Sequence, residues 1–442
     1  MKRFSHKQWI WLEIVFLFVF IGIQFVDAPM ENPPVTSVIR LPDSVQQVLV
    51  KSCFDCHTSM TKYSWFDRIA PASWVVRDHV REGRKLVNFS QWDSLSKDLQ
   101  KVVLFESLNQ MRFQVMPLGQ YTFIHPSAKV SKQDIQVFQS YISTLVSPYS
   151  PDTAKANKWK DQFALWMRGY LHAKKVMPSP NGIVFNPDYK NWDAISTTER
   201  FDNGTMRVIV GNDIAVDAVK THHTKPWPDG SVIVKILWIS MVDSSGNLQS
   251  GAFRQADFMT RDKEKYANTE GWGFARWANG IQLTPYGKNA LFASECVNCH
   301  RSMKSNDFVF TEPIDLNENV DMHRKVIMSS IDKNTSTMST LYGNNRAVDF
   351  ARTVAGNQYP TGSELTLVTW NQKEDDHWYG ARIPGSIQMV EKIHIIDSGK
   401  GKSHPVYEKK DRSFYEKSDS QKAMDAKTRT SYILNLRPSV MP

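Results

Sequence analysis

The chain has 442 residues, a formal charge of +9, and a composition that is 41% hydrophobic, with 14 Trp, 14 Tyr and 23 Phe. That is enough apolar material for about three domains, and it excludes a disordered chain, a collagen-like fibre and a multi-span membrane protein. Lys and Arg are spread along the chain instead of clustering, which argues against a nucleic-acid-binding surface.

The N-terminus carries Lys2, Arg3, His6 and Lys7 and then an apolar run from Trp9 to Val26, broken only by Glu13 and Gln24. The run is just long enough to span a bilayer, and the positive charge before it places the remainder of the chain outside. Val26-Asp27-Ala28 makes a poor cleavage site, so residues 1–28 read as an uncleaved anchor, with a cleaved signal as the alternative. Both readings export the chain, to the periplasmic side of a bacterial inner membrane or to the periplasm itself. Four prolines between Pro29 and Pro42 predict an extended tether over 29–42.

Residues 43–150 read as helical. Val45 to Val50 leads into Cys53-Phe54-Asp55-Cys56-His57, and Ser131-Lys132-Gln133-Asp134 opens an amphipathic stretch from Ile135 to Leu145. Residues 151–182 read as a mostly helical linker containing Trp159 and Trp166 and ending in a turn rich in Pro, Asn and Gly. The pattern then changes to strands at Met206–Val210 and Ser231–Trp238, each bounded by turn residues. A second cysteine string follows at Cys296-Val297-Asn298-Cys299-His300.

The last part of the chain repeats the part before it. Gly211–Asp217 recurs as Gly343–Asp349, Trp227-Pro-Asp-Gly-Ser231 as Tyr359-Pro-Thr-Gly-Ser363, and Trp238 as Trp370, all at an offset of 132 residues. This predicts two copies of one β-rich unit, over 183–320 and 321–442. The second copy has no cysteine, and it carries Leu367 where the first has Lys235.

All four cysteines fall in the two CxxCH strings. Two cysteines at this spacing reach both vinyl groups of one haem, and the adjacent histidine then binds the iron. A structural zinc site needs further Cys or His ligands, and a thioredoxin-like pair needs a different context. The expectation is two covalently attached haem c groups, anchored through Cys53 and Cys56 and through Cys296 and Cys299. His57 and His300 are the proximal iron ligands on this reading. Met116, before Pro117 and about 60 residues beyond the first string, has the placement of a sixth ligand in a small cytochrome c. His79 is the runner-up and His125 the third candidate, while a core role for Met116 also fits.

Two resemblances add to this reading. The strings Cys53–Trp74, His79–Arg84 and Asn88–Trp92, with Met116-Pro117 and His125-Pro126, resemble a bacterial haem-binding domain family that follows an N-terminal anchor. The resemblance covers about residues 40–148 and implies a small helical c-type cytochrome. Residues from about 183 to 315 resemble the cytochrome P-460 and cytochrome c′-beta family, through Tyr189–Trp192, Arg207–Asp213, Trp227–Gly230, Lys235, Gly271–Phe274, the second CxxCH and Asp307–Thr311. That resemblance implies a β-sheet carrying haem c, with a proximal His and an open distal iron site. In cytochromes P-460 a lysine nitrogen is bonded to the haem edge, and those proteins oxidise hydroxylamine; c′-beta members lack the bond and bind nitric oxide. Lys235 matches the cross-linking lysine. By strand alternation it shares a face with Ile233 and Leu237. If that face is buried, the ammonium needs a partner, a shifted pKa or covalent modification; if it is exposed, Lys235 is an ordinary strand lysine.

Other residues give weaker signals. His222-His223 reads as a solvated loop more than a metal pair. Arg254, Asp257 and Glu270 are candidates for a distal pocket or for surface ion pairs. Phe253, Trp272, Phe274 and Trp277 are haem walls or simply core. The basic run Lys400 to Arg412 reads as a solvated loop. The expected protein is thus α+β and multidomain: an anchor, a small helical cytochrome c-like domain, then two β-sheet-rich units. The expected function is oxidation of hydroxylamine or a related small nitrogen oxide at the second haem, with electrons passing through the first to a soluble or membrane-bound acceptor. A nitric oxide-binding protein and a pure dihaem relay are the alternatives.

Overall fold

A computed structural model describes residues 6–26, 32–146, 149–169, 175–243, 246–316, 324–354, 356–399, 403–410 and 419–442. The chain divides into two compact units, Met1–Val146 and Ser147–Pro442.

The first unit is helical. Helix α1 (His6–Ile23) is apolar on every side and has no buried residue. It is the single helix among the described residues that is long and apolar enough to cross a membrane. Immediately after it, the Gln24 side chain holds Ala70 from both sides: Nε2 donates to the Ala70 carbonyl at 3.2 Å and Oε1 accepts the Ala70 N–H at 2.9 Å. Helix α2 (Asp43–Ser52) runs into the short α3 (Phe54–His57), which carries the first CxxCH. Helices α4 (Ala72–Leu86), α5 (Lys97–Arg112), α6 (Gly119–Ile124) and α7 (Lys132–Ser143) complete the unit. The predicted start of α7 is a capping box, in which Ser131 accepts the Asp134 N–H and Asp134 accepts the Ser131 N–H. Leu49, Phe105, Leu108, Phe138 and Ile142 are buried where α2, α5 and α7 meet. Part of the predicted tether is packed: Ile39 is fully buried, and backbone bonds tie residues 36–39 to Phe89 and Ser90. Pro29 to Glu31 lie outside the described residues.

In the second unit, helix α8 (Thr153–Met167), read from sequence as linker, packs against a strand with Trp159 and Trp166 buried. The strands are β1 (Asp193–Arg200), β2 (Thr205–Gly211), β3 (Val232–Val242), β4 (Leu248–Arg261), β5 (Trp272–Ala278), β6 (Thr284–Pro285), β7 (Lys325–Asp332), β8 (Thr337–Gly343), β9 (Glu364–Glu374), β10 (Ala381–Asp397) and β11 (Ser403–Lys410). Helices α9 (Asp213–Lys220), α10 (Ala293–His300), α11 (Asn345–Thr353) and α12 (Asp419–Leu434) alternate with them. The basic run read as a solvated loop contains β11, which pairs along β10. Residues 400–402 and 411–418 lie outside the described residues.

The repeat is structural. The first copy runs β1-β2-α9-β3-β4-β5 and the second β7-β8-α11-β9-β10-β11, with β3 and β9 related by the same offset of 132 residues. The turns are reproduced too. Asn212 caps α9 and donates to the Gly230 carbonyl at 2.9 Å, while Asn344 caps α11 and donates to Gly362 at 2.8 Å. The two copies are not separate sheets. The pairings β1–β2–β3–β4–β7–β8–β9–β10, with β10 returning to β1, close eight antiparallel strands into a ring. One core cluster therefore draws on both copies, with Val208, Ile236 and Trp238 from the first and Met338, Val368 and Trp370 from the second. The C-terminal residues enter the same core. Trp238 donates to the Val440 carbonyl at 2.8 Å and Tyr189 to that of Pro442 at 2.9 Å.

Candidate functional site

Strand alternation sends one set of side chains into that shared core and the other outward, where helices cover it. On the outward face of the first copy, the register aligns Ile209, Lys235, Asp257 and Arg276 in one row across β2 to β5. Ile233 and Leu237, which flank Lys235 on its face, are buried. The face is thus a covered one, and Lys235 has the partner that burial demands. Its Nζ lies 2.7 Å from Asp257 Oδ2. Arg276 Nε lies 2.9 Å from the other carboxylate oxygen, and Gln255 donates to both at 2.8 and 2.9 Å.

The charges follow from this geometry. Burial opposes ionisation of Asp257, but Lys235 and Arg276 together hold its carboxyl well below the usual range. Burial lowers the Lys235 pKa; Asp257 works against this, while Arg207 and Arg276 reinforce it. Asp257 raises that of Arg276. One position further along β2, burial and the neighbouring Arg200 bring Arg207 down to about 9, and its Nε has no hydrogen-bond partner.

Helix α10 lies beside β5 and carries the second CxxCH. Cys296, Cys299 and His300 line a cavity of about 330 Å³ together with Arg207, Lys235, Asp257 and Arg276. Ile209, Ile233, Met259, Phe274, Val309 and Phe310 supply its apolar surface. His300 packs between Phe274 and Phe310, with ring centroids 5.1 and 5.0 Å away. Its Nδ1 is 2.6 Å from the Phe308 carbonyl. An N–H there donates to that oxygen and leaves the Nε2 lone pair for a metal, the usual way a protein fixes the tautomer of a ligating histidine. Burial brings the imidazole pKa down to about 4, so it is neutral at pH 7.

The second copy supplies part of the cavity wall through Asp375, Trp378 and Ile383. Trp378 donates to Asp202 at 3.1 Å and stacks under the Arg200 guanidinium, 4.2 Å from its ring centre. Burial pushes the Asp375 carboxyl up. Asp375, Trp378, Arg276 and Tyr286 carried no sequence signal, because what recruits them is barrel closure and strand register.

The corresponding face of the second copy is built differently. Its equivalent row reads Leu341, Leu367, Glu391 and Lys409. Arg429 of α12 closes onto the buried Glu391 with bonds of 2.8 and 2.6 Å, and Ile433 joins the apolar cluster around Leu367. A helix side chain and an ion pair occupy the space.

In the first unit, His57 Nδ1 lies 3.0 Å from the Gly83 carbonyl and 3.2 Å from that of Val87, again leaving Nε2. Helix α4 approaches so closely at Gly83 that a Cβ there would lie 3.0 Å from the Cys56 carbonyl oxygen. Burial raises the Cys53 and Cys56 thiols to about 12 and about 11, and no disulfide joins any of the four cysteines. A smaller cavity beside Cys56 is lined by Val76, His79, Val80, Tyr121 and His125. Met116 is not among its lining residues, whereas both histidine candidates are.

The remaining candidates fall elsewhere. His222 and His223 lie exposed after α9, and the described residues contain no metal-holding group of three or more His, Cys, Asp or Glu. Arg254 and Glu270 do not line the cavity. Phe274 walls it, while Phe253 and Trp277 belong to the shared core. Trp272 lies in the apolar cluster under α9 and α10.

A neutral histidine with a free Nε2, two thiols on the preceding helical turn, an apolar slot and a buried arginine Nε suited to a carboxylate together fit haem. They define a haem-binding domain of the c-type cytochrome class. Two family models match the chain: residues 18–144 match a haem-binding domain, and residues 186–311 match cytochrome P460. The protein therefore carries these two domains in that order. No curated protein matches the chain.

Proposed function

We propose that the chain is an exported dihaem c-type cytochrome that oxidises hydroxylamine or a related small nitrogen oxide at its second site. Electrons then pass to the first site and on to a soluble or membrane-bound acceptor. Helix α1 is the membrane anchor on this reading. Haem bound in the larger cavity would supply an iron with one position open to a small ligand. Cys296 and Cys299 would attach the haem and His300 would bind its iron, with the imidazole oriented by the Phe308 carbonyl. Arg207 pairs with a carboxylate, either of the haem or of an anionic ligand. The observation that supports the reading is that Lys235 and His300 line the same cavity, since by family resemblance Lys235 is the candidate for a cross-link to haem. Asp257 fixes where the Lys235 nitrogen sits.

The same ion pair favours a second reading. A lysine held as an ammonium by Asp257 stays unmodified, and the site then binds nitric oxide without turnover. The ferrous optical spectrum of the full chain separates the two. A broadened, strongly red-shifted Soret band beside an ordinary one, abolished by Lys235→Ala, supports the oxidoreductase. Two ordinary Soret bands, with no hydroxylamine oxidation by fully haem-loaded protein, refute it and leave nitric oxide binding.

A further inference from the structure

We infer that the turn around Trp65, with the rim of the first unit's cavity, lies in the membrane interface, so that the lipid bilayer covers the mouth of that cavity. This rests on reading α1 as a membrane anchor. Helix α1 ends at Ile23, and the next residue is clamped on both sides to Ala70. A helix advances only about 1.5 Å per residue, so the turn ending at Ala70 is held where the helix leaves the hydrocarbon.

The composition of that turn suits the position. Trp65 is 75% exposed, and exposed Lys62 and Arg68 flank it. Tryptophan is enriched at the membrane–water boundary, and lysine and arginine there meet anionic headgroups. Other exposed apolar side chains border the same cavity. Val75 of α4 and Ile124 of α6 line it, at 49% and 57% exposure, and Phe123 beside Ile124 is 86% exposed. Tyr63 and Asp67 of the Trp65 turn line it as well. Apolar surface placed beside an anchor's exit has one partner already at hand, the lipid that surrounds the anchor.

The test places p-benzoylphenylalanine singly at Phe16, Trp65, Phe123 or Leu99 in the full-length protein. Each variant is reconstituted in vesicles of phosphatidylethanolamine and phosphatidylglycerol and illuminated. Phe16 lies within α1, and Leu99 is a 53% exposed position on α5. Lipid adducts at 16, 65 and 123 and none at 99 are expected. Gln24→Leu, which removes the clamp, should lower the yield at 65 several-fold and leave that at 16 unchanged. Adducts at 16 with none at 65 and 123, or protein adducts in their place, overturn the inference while leaving the anchor intact. No lipid adduct at 16 overturns the anchor reading itself.

Discussion

Replacing Asp257 with Asn removes the one negative charge that Lys235 and Arg276 share while keeping the side chain's size. Breaking a buried ion pair from one side costs about 3–5 kcal/mol, because the surviving charge is left uncompensated. Lys235 and Arg276 keep 30% and 34% of their side-chain surface open, so solvent screening favours the low end, about 3 kcal/mol. For a unit of this size that corresponds to a fall in Tm of roughly 5 °C at pH 7, followed by loss of the β-sheet circular dichroism signal. The pH dependence has a definite sign. The folded carboxyl titrates below its ordinary value. Its contribution is therefore complete above about pH 4 and is lost as the pH falls toward the folded pKa. The gap between protein and variant should narrow below about pH 4. Lys235→Met with Asp257→Leu, which removes two members of the cluster together, should recover part of the loss. A single variant that melts with the unaltered protein at pH 7, or a gap that does not change with pH, would refute the reasoning.

Gly83→Val puts a side chain against the Cys56 carbonyl, so on the proposed dihaem reading haem per chain, measured by the pyridine haemochrome assay, should fall from two toward one. Glu391→Ala strands Arg429 over the second copy's face. It should lower stability by about 2–4 kcal/mol and leave the haem spectrum unchanged, and a changed spectrum would contradict the independence of the two faces. Met116→Leu should leave the first haem's spectrum and reduction potential unaltered, because Met116 does not line that cavity; His79→Ala or His125→Ala should change them. Loss of a ligand signature in the methionine variant alone would reverse that assignment.

Signals confined to a few adjacent residues were legible in the sequence. The two CxxCH strings point to haem, which the haem-binding and cytochrome P460 matches support, and the capping residues Ser131 and Asp134 mark the start of α7. The shared offset of 132 residues predicts the duplicated unit, because the cap at Asn212 and the turn at Gly230 need the same side chains wherever the motif occurs. Lys235 was recognisable by family resemblance, and its face by alternation with Ile233 and Leu237. Its partners were not recognisable in the same way. Asp257 was one of two carboxylates, with Glu270, offered for a pocket, and Arg276 was anonymous, because strand register alone brings them beside Lys235. Asp375 and Trp378 come from the copy that has no cysteine, and nothing in their neighbourhood signals a cofactor. The prolines between Pro29 and Pro42 read as an extended tether, since the burial of Ile39 and its backbone bonds to Phe89 are tertiary events. Met116 has the spacing of a ligand, while His79 and His125 are the candidates that line the cavity beside Cys56; spacing along a chain does not by itself choose among them.

The closed ring of eight strands changes how the larger site depends on dilution. Each copy offers edges that must be paired, at β1 and β4 in one and β7 and β10 in the other. Because one chain carries both, the edges meet at an effective concentration set by the connecting segment and not by how much protein is present. Closure is then as favourable in a single isolated molecule as in a concentrated solution. It also leaves the two outward faces different: one carries Cys296, Cys299 and His300 on its cavity wall, and on the other Arg429 closes onto Glu391. Closure is also what brings Asp375 and Trp378 of the second copy to the wall of the first copy's cavity, across the seam.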